Sequence, residues 1–108
     1  MSEIRVAEYL DSAGRSQFRR WFNELDATAA AKVTTALQRL GQGNFSNVEG
    51  VGSGVFEYRI DFGPGYRIYF GKDGPAFVIL LGGGTKKRQS RDIRNAIDAW
   101  ADYKRRKR

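Results

Sequence analysis

The side chains in this sequence best suited to chemistry are cationic, and they are grouped. Arg59 and Arg67 lie in two alternating runs on either side of Gly63-Pro64-Gly65, and Lys86, Lys87, Arg88, Arg91 and Arg94 follow the glycine run 82–84. The 108 residues contain no histidine and no cysteine. That excludes disulfides, thiolate metal sites and a histidine general base, and it leaves zinc without its usual ligands. Arginine and lysine are good at holding phosphate: a guanidinium engages two oxygens at once, and an ammonium supplies a point charge. Residues 1–50 carry six basic and six acidic side chains, so the whole net charge of +7 falls on residues 51–108. A polyanion partner follows from that asymmetry: nucleic acid, ribosome or an acidic protein segment. A solvated surface is the plain alternative.

The elements that must position these residues can be read from periodicity. In Val55 to Phe62 the apolar Phe56, Tyr58, Ile60 and Phe62 alternate with Glu57, Arg59 and Asp61, the signature of a half-buried strand. The alternation resumes after Gly65, with Tyr66, Ile68 and Phe70 on one face and Arg67 and Tyr69 on the other. Asp73-Gly74 suits a two-residue hairpin turn, and Ala76 to Leu81 is apolar throughout, as in a strand covered on both faces. Gly82 to Thr85 reads as too flexible to continue the ladder. It lacks the Gly-Lys-Ser/Thr ending of a nucleotide-binding loop.

Upstream, Ile4 and Val6 suggest a short edge strand. Phe18, Trp21, Phe22 and Leu25 have the spacing of one buried helical stripe. Asp26 can cap a second helix, Ala27 to Leu40, with Ala29, Val33, Leu37 and Leu40 inward. The segment 42–53 is ambiguous: Val48 and Val51 suit a strand, whereas its glycines loosen it. Ser90 is the expected cap of a last helix, with Ile93, Ala96, Ile97 and Trp100 as its apolar stripe. No apolar run approaches the ~20 residues of a membrane span, and no secretory leader pattern opens the chain, so a cytoplasmic location is expected.

The segments FRRWFNEL, GVFEYRIDFGPGYRIYFGKDG and LLGGGTKKRQSRDIRNA resemble the RelE/ParE toxin superfamily, in particular its HigB-like, phage-type addiction-module killer proteins. The resemblance covers nearly the whole chain, and the Gly-Pro-Gly-Tyr-Arg-Ile-Tyr-Phe segment is its most specific part. It implies a single α+β domain, residues 1–108. The fold would be small and RelE-like: an antiparallel sheet in the order β-α-α-β-β-β-α, with an N-terminal helix hairpin and a C-terminal helix packed on it. It also implies the toxin of a type II toxin–antitoxin pair, held by a cognate antitoxin (a helical DNA-binding protein) and acting on messenger RNA at the ribosome. No cofactor, metal or membrane is expected. A ParE-like inhibitor of DNA gyrase and a non-catalytic nucleic-acid-binding module are the alternatives.

Ribosome-dependent RNA cleavage lets a ribose 2′-hydroxyl attack the neighbouring phosphorus and expel the 5′-oxygen, so it needs cations at the transition state and groups that move protons. Arg67 matches the arginine of the RelE-like Gly-Tyr-Arg motif and reads as a phosphate clamp pointing off the core. Arg59 lies on the same face, and Lys86 and Lys87 match the family's second basic pair. These four are the candidate catalytic residues. Tyr69, Arg88, Arg91 and Arg94 are the candidate RNA contacts, Tyr69 either stacking a base or supporting Arg67. The sequence assigns no general base: Gln89 to Ile97 lacks the tyrosine or histidine that many relatives carry there, Glu57 and Asp61 are candidates, and Lys86 and Lys87 could bind phosphate or move a proton. Where related killer proteins read Cys-Gly-Gly-Asp-Lys, this chain has Gly82-Gly83-Gly84-Thr85-Lys86. If the Gly63–Gly65 loop closes symmetrically, Asp61 faces Arg67 and Arg59 faces Tyr69. Cross-strand pairing or arginine–aromatic stacking would then explain all four without catalysis.

Overall fold

The structure, a computed structural model, describes residues 3–107. The chain runs β1 (Arg5–Glu8), α1 (Gln17–Asn23), α2 (Ala27–Gly41), β2 (Val48–Gly52), β3 (Val55–Ile60), β4 (Tyr66–Lys72), β5 (Phe77–Thr85), a 3₁₀ turn (Lys86–Arg88) and α3 (Gln89–Arg106). Both early helices begin on a capping side chain. Ser16 Oγ accepts from the Arg19 N–H at 2.9 Å, and Asp26 Oδ1 accepts from the Ala29 N–H at 2.8 Å. Each cap satisfies one of the donors that a helix start leaves without a partner.

The sheet has five strands in the order β1-β5-β4-β3-β2. β2 to β5 form an antiparallel meander, whereas β1 pairs parallel to β5, from Arg5 opposite Phe77 to Glu8 opposite Leu80. The sheet is therefore mixed, not wholly antiparallel. β1 does occupy an edge, but both helices and the meander intervene before its partner, and that long connection allows a parallel pairing. The extra strand is β2, held through half-buried Val48 and Val51 and turned into β3 by Gly52, Ser53 and Gly54, all at positive φ. The β4–β5 connection is longer than a two-residue turn. Asp73 N–H donates to Phe77 O at 2.8 Å, and Pro75 between them has no N–H to offer a ladder.

Helices cover both faces of the sheet. On one side Phe18 of α1 and Val33, Ala36 and Leu40 of α2 pack with Tyr58, Ile60, Ile68, Phe70, Val78 and Leu80. On the other, Ala96, Ala99 and Trp100 of α3 pack with Tyr9, Val55, Tyr69, Ile79 and Leu81. Neighbouring β5 residues thus serve opposite cores, which is why that strand is apolar without alternation. The α3 contact is close: a Cβ on Gly71 would stand 2.5 Å from Trp100 Cε3. Only glycine lets the indole lie on the strand.

Two expectations around α3 are corrected. Gly82, Gly83 and Gly84 remain in the ladder, opposite Tyr69, Ile68 and Arg67. Their lack of side chains admits neighbours instead, because the Trp21 ring occupies the Cβ space of Gly83 and the Asp92 carboxyl that of Gly84. Ser90 is not the helix cap. The 3₁₀ turn runs directly into α3, which starts at Gln89 with no side-chain cap bond.

Candidate functional site

The β3–β4 register sets Arg59 opposite Arg67 and Glu57 opposite Tyr69, two residues out from a symmetric closure. Asp61 and Phe62 have left the strand for the loop, where Gly65 N–H donates to Phe62 O at 3.0 Å. All four side chains project to the α3 side, as their alternation requires. Glu57 is the centre. Its Oε1 accepts from Gln89 Nε2 at 2.7 Å, and its Oε2 accepts from Arg59 Nε at 3.1 Å. Arg67 Nε stands 3.8 Å from Oε1, a charge contact longer than a hydrogen bond. Arg59 also pairs with Glu49 of β2.

Because α3 covers this face, Arg67 is not the exposed residue the strand pattern suggested. It is 9% exposed, and Glu57 and Tyr69 are fully enclosed. Tyr69 therefore offers no ring to a base and lies beside Arg67 instead. Its hydroxyl and Arg67 Nε have no hydrogen-bond partner. Burial, reinforced by the negative charge of Glu57 and Asp92, pushes the Tyr69 hydroxyl well above the ordinary tyrosine range. Arg59 remains half exposed and forms the outward side of the cluster.

The other basic residues sit around the start of α3. Lys86, Lys87, Arg88, Arg91 and Arg94 are all exposed. Lys86 N–H donates to Gly65 O at 2.9 Å, tying the 3₁₀ turn to the β3–β4 loop. Among the described residues, Lys86, Lys87, Arg88 and Arg94 have no carboxylate within ion-pair distance. Arg88 and Arg91 face a cleft of about 690 Å³ between α1 and α3, along the part of β5 that β1 does not reach. Arg15, Arg20 and Trp21 line the opposite side, and Asp92 and Gly84 lie at its base. Burial raises the Asp92 carboxyl above the usual range, against the opposing charges of Arg91 and Arg88.

The structure thus brings Arg59 and Arg67 into one cluster and Arg88 and Arg91 into the adjacent cleft. Lys86, Lys87 and Arg94 stand exposed outside both. Asp61, the other base candidate, is exposed at the loop. Sequence reasoning missed Gln89 as the donor to Glu57 and Asp92 as the occupant of Gly84. One signal was available for the second: glycine in a strand marks a close approach. Among the described residues, no group of three or more histidine, cysteine, aspartate or glutamate side chains is placed to hold a metal ion. No helix there is long and apolar enough to cross a membrane.

No protein-family profile matches the chain. A protein of Haemophilus influenzae (strain ATCC 51907 / DSM 11121 / KW20 / Rd), described as an uncharacterized protein, is 42% identical over 80 residues, spanning 73% of this chain and 81% of that one.

Proposed function

The chain belongs to one family with that Haemophilus influenzae protein, and from its basic site we propose a function: the toxin of a type II toxin–antitoxin pair, cleaving messenger RNA on the ribosome in the cytoplasm. The observation carrying this reading is the set of exposed cations Lys86, Lys87, Arg88 and Arg94, none with an ion-pair partner among the described residues, on the segment that Gln89 ties to the Glu57–Arg59–Arg67 cluster. Cations so close to the start of α3 oppose the helix dipole, so an anion between them relieves a cost the fold otherwise bears. In this reading Lys86 and Lys87 face the scissile phosphate with Arg59, and Arg67 adds charge from behind. Their combined field stabilises the extra negative charge that develops as the 2′-hydroxyl attacks phosphorus. The resemblance to HigB-like killer proteins supports the same reading, and the antitoxin would cover this basic face.

Expression of the chain alone in a bacterium should arrest growth, with transcripts cut inside reading frames. Intact transcripts accompanied by a DNA-damage response would instead support a gyrase inhibitor with no chemistry of its own. One observation favours that second reading: Glu57, the carboxylate nearest Arg67, is wholly enclosed and so cannot take a proton from a bound ribose.

A further inference from the structure

Asp92 is placed unlike Asp73, Asp102 and Glu57, which are also covered in whole or in part. Asp73 and Asp102 accept tyrosine hydroxyls at 2.6 Å, and Glu57 accepts two side-chain donors. The Asp92 side chain is 13% exposed, yet no hydrogen-bond donor reaches it among the described residues. Its nearest cation, Arg91 Nε, is 4.0 Å away. Gly84 holds it in place, since a side chain there would collide with the carboxyl. The carboxyl is largely covered, has no protein donor among the described residues and lines the 690 Å³ cleft, a volume in the range of small-ligand sites.

The surroundings restrict what can satisfy it. Asp11 and Glu24 also line the cleft, but Asp11 pairs with Arg15 at 3.8 Å, which leaves Arg20, Arg88 and Arg91 against Glu24 around Asp92 and tips the lining toward negative charge in the occupant. An occupant with neutral donors toward Asp92 and negative charge toward Arg88 and Arg91 suits this lining. It also meets the indole of Trp21, which lies against Gly83. Among nucleobases, guanine presents two adjacent donors, N1–H and N2–H₂, that fit both oxygens of a carboxylate. Adenine and cytosine place an acceptor nitrogen beside their amino group, and uracil flanks one N–H with two carbonyls. From this we propose that the cleft is a guanine-reading subsite for single-stranded RNA, with Asp92 on the Watson–Crick edge, Trp21 against the base and the arginines on flanking phosphates. The inference rests on the RNA-cleaving reading for its substrate, but base recognition can be tested without cleavage.

The test is calorimetric titration of the whole protein with GMP, AMP, CMP and UMP, and with two RNA pentamers that differ only in one central guanine. The Trp21 indole N–H would be followed by NMR. GMP is expected to bind at least about 10-fold more tightly than the other three and to shift the Trp21 signal, with the guanine pentamer tighter still. Asp92→Asn, checked for unchanged melting or better, should abolish the guanine preference while leaving arginine-dependent binding of RNA. Equal binding of all four nucleotides, or an unchanged preference in Asp92→Asn, would overturn the proposal. So would tight binding of GMP with no gain for the guanine pentamer, which would mark a free-nucleotide site. Cut sites mapped in cells separate the two readings. Cleavage without guanine preference refutes the subsite and keeps the nuclease; guanine binding without cleavage does the reverse.

Discussion

Glu57→Gln should be among the most destabilising isosteric changes available in this chain. The substitution keeps the shape of a fully enclosed side chain but removes its charge. It also exchanges one acceptor oxygen for an N–H₂ that must face Gln89 Nε2 or the Arg59 guanidinium. Arg67, itself 9% exposed, then loses its counter-charge. Breaking a buried ion pair from one side costs about 3–5 kcal/mol, and the lower end applies because Arg67 keeps some contact with water. In a domain of this size each kcal/mol moves the melting temperature about 4–8 °C, so a fall of roughly 12 °C or more is expected. Arg67→Met should cost less, since Glu57 keeps Arg59 and Gln89. The double variant should recover stability relative to Glu57→Gln, because no unpaired charge remains buried. Thermal melts followed by circular dichroism, with urea titrations alongside, measure all three. A Glu57→Gln protein melting within about 2 °C of the parent would refute the cluster as described, as would a double variant no more stable than the sum of its parts.

Other outcomes follow from single contacts. Gly71→Ala should lower stability by about 1–3 kcal/mol, because its methyl meets the Trp100 ring and the indole must move off the strand; an unchanged melting temperature would contradict that packing. Asp92→Asn should raise the melting temperature near pH 7. The wild-type carboxyl titrates above its ordinary 3.8 in the folded state, so a penalty for ionising it grows as pH rises through and above that value. The gain should vanish near about pH 3, where both states hold the proton; a gain independent of pH would refute it. Tyr103, pushed up to about 12 by burial and by donating to Asp73, favours the folded state while neutral. That contribution is complete below the ordinary 10.0 and is lost as pH climbs toward about 12. Tyr103→Phe should therefore flatten the fall in melting temperature over that range, and equal slopes would exclude the linkage.

Much of the fold was legible because stripes are local. Phe18, Trp21 and Phe22 on α1, and the alternation of Tyr58, Ile60, Ile68 and Phe70, specify one core within short windows. The second core left a fainter sign. Glu57, Arg59 and Arg67 look like a solvent face when read alone, but the unbroken apolar run of β5 already required cover on both sides. The register was missed because it depends on where the loop begins, and alternation cannot tell Asp61 in a strand from Asp61 in a turn. The glycine run was misjudged for a related reason. Trp21 and Asp92, which fill the space over Gly83 and Gly84, come from helices far away along the chain or on another face. At the site, charge density at residues 86–94 was visible from composition, whereas the Glu57–Gln89 contact across 32 residues was not.

The most direct test of the RNA-cleaving reading is a purified translation reaction with the protein, ribosomes and one defined messenger RNA, its 5′ ends mapped after incubation. Cuts within the reading frame are expected only when ribosomes are present. The triple replacement of Lys86, Lys87 and Arg88 by alanine should slow them by about 10²-fold or more while the melting temperature holds. Intact messenger RNA under conditions where the same preparation stops growth in cells would contradict the reading, and so would cleavage at an undiminished rate by the triple variant.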